Sequence, residues 1–434
     1  MLKVVLLNPP SSNKYLRDQY CTSLSKAEYY WHPIDLLIQS GILSREHDVN
    51  VIDAQVDSIL PSECTELLLE IKPDIILFVT GFLSMKQDLD YIKQISRLID
   101  SKFIATGGYL LYDCKKHLEE NPFIDAILLD YTSDSLLEYL NGNNELYDIC
   151  VKYGGQIIEY PRRKNDEISY PPPRYDLFAL NTYKMPYSKK RLFASVATSY
   201  GCPYKCNFCI ARKIPFKQRN LQNVFLELDV LNKLNIKELF FRDFTFGTNY
   251  EYTVKLCEYL KRNGFSWSAS SRVDILDDNL LSIMKASGCH TLNFGVESPK
   301  DVQLRNIEKN NVVKDVIKTF SRCKKIGIKT LAHYIIGLPG DKLSDISNLI
   351  DFSVKLKSDY ASYNIAIPLP GSGIENYRGS DLSYDELVRL KNKAYKSFYF
   401  NVNYIFRYIR NLTPPSDLTC AVKNCVAFLR KNFR

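Results

Sequence analysis

Two ordered series of short apolar runs, each followed by an amphipathic stretch, restrict what this chain can fold into more than any other feature. In the first series, runs at residues 3–7, 50–53, 75–79, 103–106 and 126–129 alternate with stretches at 33–45, 62–72, 85–100, 114–120 and 133–140. Short β-branched runs read as buried strands, and apolar residues that return every three or four positions read as helices. Strands that alternate with helices are joined as parallel βαβ units. The pattern therefore predicts an α/β chain whose first part, residues 1–145, is a Rossmann-like doubly wound domain with ligands beyond the carboxyl ends of its strands. Asn8, Thr80, Gly107, Gly108 and Tyr109 lie in the loops that would face a ligand there. Gly107-Gly108 suits either a close backbone approach to a bound group or simply a tight strand-to-helix turn.

Between 146 and 190 the alternation gives way to polar chain with Tyr170-Pro171-Pro172-Pro173-Arg174. Proline fixes extended backbone and blocks helix, so this stretch reads as a linker. A second series follows, with strands expected at 193–198, 238–241, 266–269, 291–294, 331–336 and 362–367 and helices at 223–234, 250–262, 279–287, 312–326 and 346–356. Six βα units in order predict a partial (β/α)6 TIM-like barrel over 191–375, with its site at the carboxyl mouth of the strands. Residues 376–434 carry a helical, aromatic and basic pattern expected to cap it.

The length of 434 residues suits two domains, and a net charge of +8 spread over 57 basic and 49 acidic residues forms no basic block beyond Lys189-Lys190-Arg191. Nucleic acid is therefore not an expected partner, whereas an anionic substrate or cofactor fits. The apolar start breaks at Asn8-Pro9-Pro10, and no segment reaches about 18 uninterrupted apolar residues, so neither a signal peptide nor a membrane span is expected and the protein reads as cytoplasmic. Twelve cysteines in such a chain read as reduced thiols and metal ligands.

The sharpest chemical signal is Gly201-Cys202-Pro203-Tyr204-Lys205-Cys206-Asn207-Phe208-Cys209, just beyond the first strand of the second series. Three thiolates within eight residues reach three irons of one cube and leave the fourth open to a small chelating molecule. A structural zinc ion borrowing a fourth ligand from elsewhere is the competing reading.

The C-x3-C-x2-C spacing with Phe208 before the last cysteine resembles the signature of the radical S-adenosylmethionine superfamily. Further matches follow in order: Arg242-Asp243-Phe244, Ser268-Ala269-Ser270-Ser271-Arg272, Gly295-Val296-Glu297, His333 through Gly337-Leu338-Pro339-Gly340, and Pro368-Leu369-Pro370-Gly371-Ser372-Gly373. The resemblance implies that Cys202, Cys206 and Cys209 hold a 4Fe-4S cluster and that a 5′-deoxyadenosyl radical is generated from S-adenosylmethionine. It implies that Phe208 and the backbone at Gly337 lie near the adenine, and that Asp243, Ser270, Arg272 and Glu297 face the rest of the cofactor. Many relatives carry an acid where this chain has Phe244. Asp243 as a solvated strand end, and Arg272 paired only with Glu297, are the plainer readings. His32, His290 and His333 read as structural.

The first domain resembles the cobalamin-binding domain of one branch of that superfamily, through Leu6-Leu7-Asn8-Pro9-Pro10, Pro33-Ile34-Asp35-Leu36-Leu37, Val51-Ile52-Asp53-Ala54 and Ala105-Thr106-Gly107-Gly108. No Asp-x-His-x-x-Gly motif follows the first strand, and Asp130-Tyr131-Thr132-Ser133-Asp134 replaces the usual Gly-Glu segment, so the domain is expected either to hold cobalamin or to survive as a relic. The resemblance implies methylation of an unactivated carbon of a small molecule or peptide, with cyclisation or rearrangement as the alternative and flavodoxin or ferredoxin as electron donor. Cys420 and Cys425 are too few for a second cluster.

Overall fold

The computed structural model describes residues 1–18, 22–25, 29–377 and 380–410. Strands β1 (Lys3–Asn8), β2 (Asp48–Asp53), β3 (Ile75–Val79), β4 (Lys102–Thr106) and β5 (Ala126–Leu128) form a parallel sheet in the order β2-β1-β3-β4-β5. Because side chains alternate along a strand, the apolar residues of the central strands β1, β3 and β4 feed two cores, one on each face. Val4, Leu6, Ile75, Leu77 and Val79 face helix Ile34–Leu43, while Val5, Leu7, Ile76 and Phe78 face helices Pro61–Ile71, Met85–Ile95 and Cys114–Glu120.

The chain just after this series, expected to be linker, instead forms β6 (Ile149–Tyr153) and β7 (Gln156–Glu159), an antiparallel hairpin that extends the sheet beyond β5. Its two-residue loop is Gly154-Gly155, both at positive φ (57° and 78°). Such a loop matches the twist of a hairpin, and only glycine adopts it freely at both positions. The expected helix at 85–100 ends at Ile95. The proline run crosses helix Ile34–Leu43 so closely that a side chain on Gly41 would lie 2.6 Å from the Pro172 carbonyl oxygen. All ten residues of that helix are buried, and seven of them are apolar or glycine, so little of it faces solvent.

In the second unit β8 (Ala194–Val196), β9 (Glu238–Phe241), β10 (Ser266–Ser271), β11 (Cys289–Glu297), β12 (Lys329–Ile336) and β13 (Tyr360–Ile365) run parallel in sequence order, the expected open barrel. Asn220, Asn249 and Asp277 cap the helices that return the chain between them by accepting a backbone N–H at the third helical position.

The open edge of β13 is covered by helix Tyr384–Tyr399. Tyr399 accepts from the Ala361 N–H at 3.0 Å and donates to the Ala361 carbonyl at 2.9 Å, and Tyr395 does the same at Tyr363 at 3.1 and 3.3 Å. Two phenols thus occupy the edge positions at Ala361 and Tyr363 that a seventh strand would take. Cys21, Cys420 and Cys425 lie outside the described residues; Cys64, Cys114, Cys150, Cys257, Cys289 and Cys323 are buried thiols.

Candidate active site

The cysteine segment is a loop tied at its neck. Ser199–Tyr200 pairs antiparallel with Lys217–Arg219, so residues 201–216 form a closed excursion at the carboxyl mouth of the barrel. Gly201 has φ 69°, and any side chain on it would overlap the Pro215 carbonyl. Inside the loop a turn returns the Cys209 N–H to the Cys206 carbonyl at 3.2 Å, and the Cys209 sulfur caps the short helix Ile210–Lys213 by accepting from the Ala211 N–H at 3.4 Å. Asn207 ties the loop to neighbouring chain through its N–H to the Ile307 carbonyl at 3.0 Å and through the Gly373 N–H at 2.5 Å.

The three thiols lie within electrostatic range of one another. Cys202 meets the Thr245 hydroxyl at 3.5 Å, and Cys206 faces the Arg272 guanidinium at 3.6 Å. Burial pushes the Cys206 thiol up and the Cys209 thiol up to about 12, while the Lys309 charge pulls both down. A buried thiol that resists ionisation on its own loses its proton to a bound metal centre. Among the described residues no three His, Cys, Asp or Glu side chains converge as one metal ion requires. Three thiols around one mouth suit the faces of a polynuclear cluster better than a single zinc.

The strand ends bring the other expected residues to the same mouth. Asp243 is buried; its Oδ1 accepts from the Thr198 N–H and hydroxyl, both at 3.0 Å, and from the Ser199 hydroxyl at 2.6 Å, while Oδ2 has no partner. Burial raises this carboxyl to about 6. It is not a solvated strand end. An unpartnered buried carboxylate oxygen calls for a donor, and an amine is one. Arg272 and Glu297 do not pair with each other. Arg272 forks onto Asp274 at 3.0 and 2.7 Å and stacks over the Tyr204 ring at 4.0 Å, so its planar fork is committed to bracing the cysteine loop. Glu297 pairs with the buried Lys309 ammonium at 2.9 Å.

Glu297 closes β11 with φ 62°, at a register shift after Gly295. A side chain at Gly295 would overlap the Glu297 carboxylate, so the glycine makes room for the ion pair. Gly337 differs from expectation: its φ is 80° and its missing side chain admits Leu387 of helix Tyr384–Tyr399 at 3.0 Å. Phe208 packs against Leu338 and Ile335, next to that glycine. Ser270 and His333 line an aromatic cavity of about 360 Å³ inside the strands, together with Tyr187, Asn293 and Tyr360. His290 bonds Glu238 and Thr291, each at 2.8 Å, as structural histidines do.

Residues 196–353 match the family model of the radical SAM superfamily. The matched stretch runs from the end of β8 into helix Leu343–Leu356. It is 29% identical over 440 residues to the uncharacterized methyltransferase PH0819 of Pyrococcus horikoshii, covering 92% of this chain and 93% of that one. Among solved structures it is similar to the radical S-adenosylmethionine methyltransferase TsrM from Kitasatospora setae with cobalamin and a 4Fe-4S cluster bound (TM-score 0.65, 17% identity, 86% of this chain and 74% of that one). It is similar also to the cobalamin-dependent S-adenosylmethionine radical enzyme OxsB with aqua-cobalamin and S-adenosylmethionine bound (TM-score 0.65, 18% identity, 91% of this chain and 56% of that one). At these identities the likeness is one of fold, and it extends across both units.

The carboxyl edge of the first sheet meets the mouth of the barrel. Tyr112, in the loop after β4, donates to the Ile210 carbonyl beside Cys209, and Gly371 leaves room for the Tyr112 ring. The Asn8 and Thr80 side chains do not project freely into this space. Asn8 bonds Asp53 at 2.8 Å and accepts from Arg17 at 2.9 Å; Thr80 bonds Asp88 at 2.7 Å, which Arg17 pairs at 2.6 Å. Burying the Arg17 charge requires these partners, and that demand consumes both side chains. Gly107 (φ 138°) sits against the Thr80 carbonyl, while Tyr109 stays half-exposed between Phe82 and His117.

Lys309, which no sequence pattern singled out, touches Glu297 and the Phe208 ring. It lies in an irregular turn of polar residues, where neither spacing nor periodicity marks a buried cation. Arg242 and Asp18 form a second unforeseen buried pair, covered by Trp31 at 4.7 Å.

Proposed function

We propose that this chain is a cobalamin-dependent radical S-adenosylmethionine methyltransferase that acts on carbon of a small molecule. The observation that carries the reading is the carboxyl edge of the Rossmann-like sheet set against the cysteine loop of the barrel, in the fold of two enzymes solved with cobalamin. Cys202, Cys206 and Cys209 would hold the 4Fe-4S cluster. Bound there with S-adenosylmethionine, the cluster supplies the 5′-deoxyadenosyl radical, and cobalamin supplies the methyl group.

The chain's own residues do the rest. Asp243 offers Oδ2 to the cofactor amine, a charge-assisted bond in a water-poor setting. Lys309 and Arg272 set positive charge beside the thiolates and brace their loop. Glu297, held by Lys309, presents its second oxygen to a hydroxyl or amine. Ser270 and Asn293 meet at 3.5 Å within the aromatic cavity and are positioned to orient substrate. The backbone and ring of the loop from Gly107 to Tyr109 would hold cobalamin at the sheet edge, since Asn8 and Thr80 are engaged elsewhere. Reducing equivalents would come from a flavodoxin or ferredoxin.

Anaerobic reconstitution with iron, sulfide and hydroxocobalamin tests this directly. Wild type is expected to retain about four irons per chain and cobalamin through desalting, and a Cys202→Ala, Cys206→Ala, Cys209→Ala variant to lose the iron but keep the cobalamin. Iron without cobalamin would replace methyl transfer with a cyclisation or rearrangement; no iron in the wild type would end the radical reading.

A further inference from the structure

Each sulfur of the cysteine loop meets one polar hydrogen. Cys202 meets the Thr245 hydroxyl at 3.5 Å, Cys209 the Ala211 N–H at 3.4 Å, and Cys206 the Arg272 guanidinium through Nη1 at 3.6 Å. Of these three donors Arg272 alone carries a charge, and a guanidinium keeps its charge at any working pH. It is 7% exposed, so water and salt screen it little. Its remaining edges are taken up by protein. Nε and Nη2 fork onto the Asp274 carboxylate at 3.0 and 2.7 Å, and Nη2 also donates to the Lys309 carbonyl at 2.5 Å. Bidentate capture of a ligand carboxylate takes two parallel N–H groups along one edge of a guanidinium. Here Asp274 fills one edge, and the other is divided between Lys309 and Cys206. The guanidinium carbon lies 4.0 Å from the centre of the Tyr204 ring, which covers one of its faces.

We propose that Arg272 is a positioning residue that acts through Cys206 to raise the reduction potential of the cluster, and that it does not hold S-adenosylmethionine. The proposal rests on Cys206 being a cluster ligand. Reduction adds one electron, supplied by a flavodoxin or ferredoxin, and makes the cluster with its thiolates more negative. A fixed cation that donates a hydrogen bond to a ligand sulfur stabilises that state more than the oxidised one, because hydrogen bonds to the sulfurs and nearby charge set such potentials. Asp274 opposes the effect. Its carboxylate sits on another edge of the same guanidinium and cancels part of the positive field that reaches the sulfur. Two opposite charges thus balance beside Cys206, and each can be removed without the other.

The test is the midpoint potential of the reconstituted full-length holoprotein, titrated with dithionite without S-adenosylmethionine and followed by the electron paramagnetic resonance signal of the reduced cluster. Arg272→Gln is expected to be harder to reduce, on the order of tenfold in the reduction equilibrium, which for one electron is about 59 mV. Asp274→Asn is expected to be easier to reduce, a shift of opposite sign that a side chain merely bracing the loop would not give. In equilibrium dialysis the oxidised Arg272→Gln holoprotein is expected to bind S-adenosylmethionine within about twofold of wild type. An unchanged potential in Arg272→Gln carrying about four irons, or an Asp274→Asn cluster no easier to reduce than wild type, would overturn the proposal. So would a loss of about tenfold or more in S-adenosylmethionine affinity, which would return Arg272 to the cofactor. If Arg272→Gln retains no iron, the Asp274→Asn potential decides alone. Wild type without iron would instead end the cluster reading itself, and that result is distinct from any difference between variants.

Discussion

At the scale of single residues, the site is made by commitments that exclude alternatives. Arg272 is committed to Asp274 and Cys206, Glu297 to Lys309, and Asp243 to Thr198 and Ser199 with one oxygen left over. Away from the mouth, His32 is fully buried, stacked on Tyr183 at 4.1 Å and bonded to the Ser195 hydroxyl at 3.2 Å. Burial, helped by the Arg242 charge, holds its pKa down at about 3. The unfolded chain therefore takes up a proton below pH ~6.5 that the folded chain refuses, and stability falls by about 1.4 kcal/mol per pH unit from there towards pH 3. His32→Gln removes that slope. In urea titrations the variant is expected to be less stable at neutral pH, with its deficit shrinking by about 1.4 kcal/mol for each unit that the pH drops below ~6.

At the scale of elements, an open barrel must dispose of its last edge. Here the phenols of Tyr395 and Tyr399 satisfy the N–H and carbonyl groups of Tyr363 and Ala361. Each phenylalanine substitution leaves one donor and one acceptor of the edge unsatisfied and is expected to cost about 1–3 kcal/mol. Hydrogen exchange checks this: the Ala361 amide should accelerate in Tyr399→Phe and the Tyr363 amide in Tyr395→Phe, with β10 amides unaffected. The hairpin of β6 and β7 carries a legible signal in Gly154-Gly155 between two short apolar runs. The phenol pairing had none, because a tyrosine bonded to a strand edge and a tyrosine in a core share the same helical spacing.

At the scale of the whole molecule, the two units are joined by buried polar contacts. Lys217, at the neck of the cysteine loop, pairs with Asp130 after β5 at 2.9 Å, both almost wholly buried. Tyr183 reaches Asp53 at 2.8 Å, and Tyr200 reaches the Leu129 carbonyl at 3.2 Å. Asp130 thereby anchors the loop that carries the cysteines. Lys217→Met leaves a buried carboxylate unpaired and is expected to lower unfolding stability by about 3–5 kcal/mol, whereas Lys217→Met with Asp130→Leu should recover most of the loss. Recovery of stability without recovery of iron content would mark the pair as the device that orients the cysteine loop.

The strand series, their parallel order and the three-cysteine loop were determined by the sequence alone, because apolar periodicity and short-range spacing are local properties of the chain. The partners of Arg272, Glu297 and Gly337, the engagement of Asn8 and Thr80, and the burial of Lys309 were decided only by tertiary structure. Each depends on a residue distant in sequence that burial forces into a hydrogen bond or an ion pair, and no local pattern records which distant residue that will be.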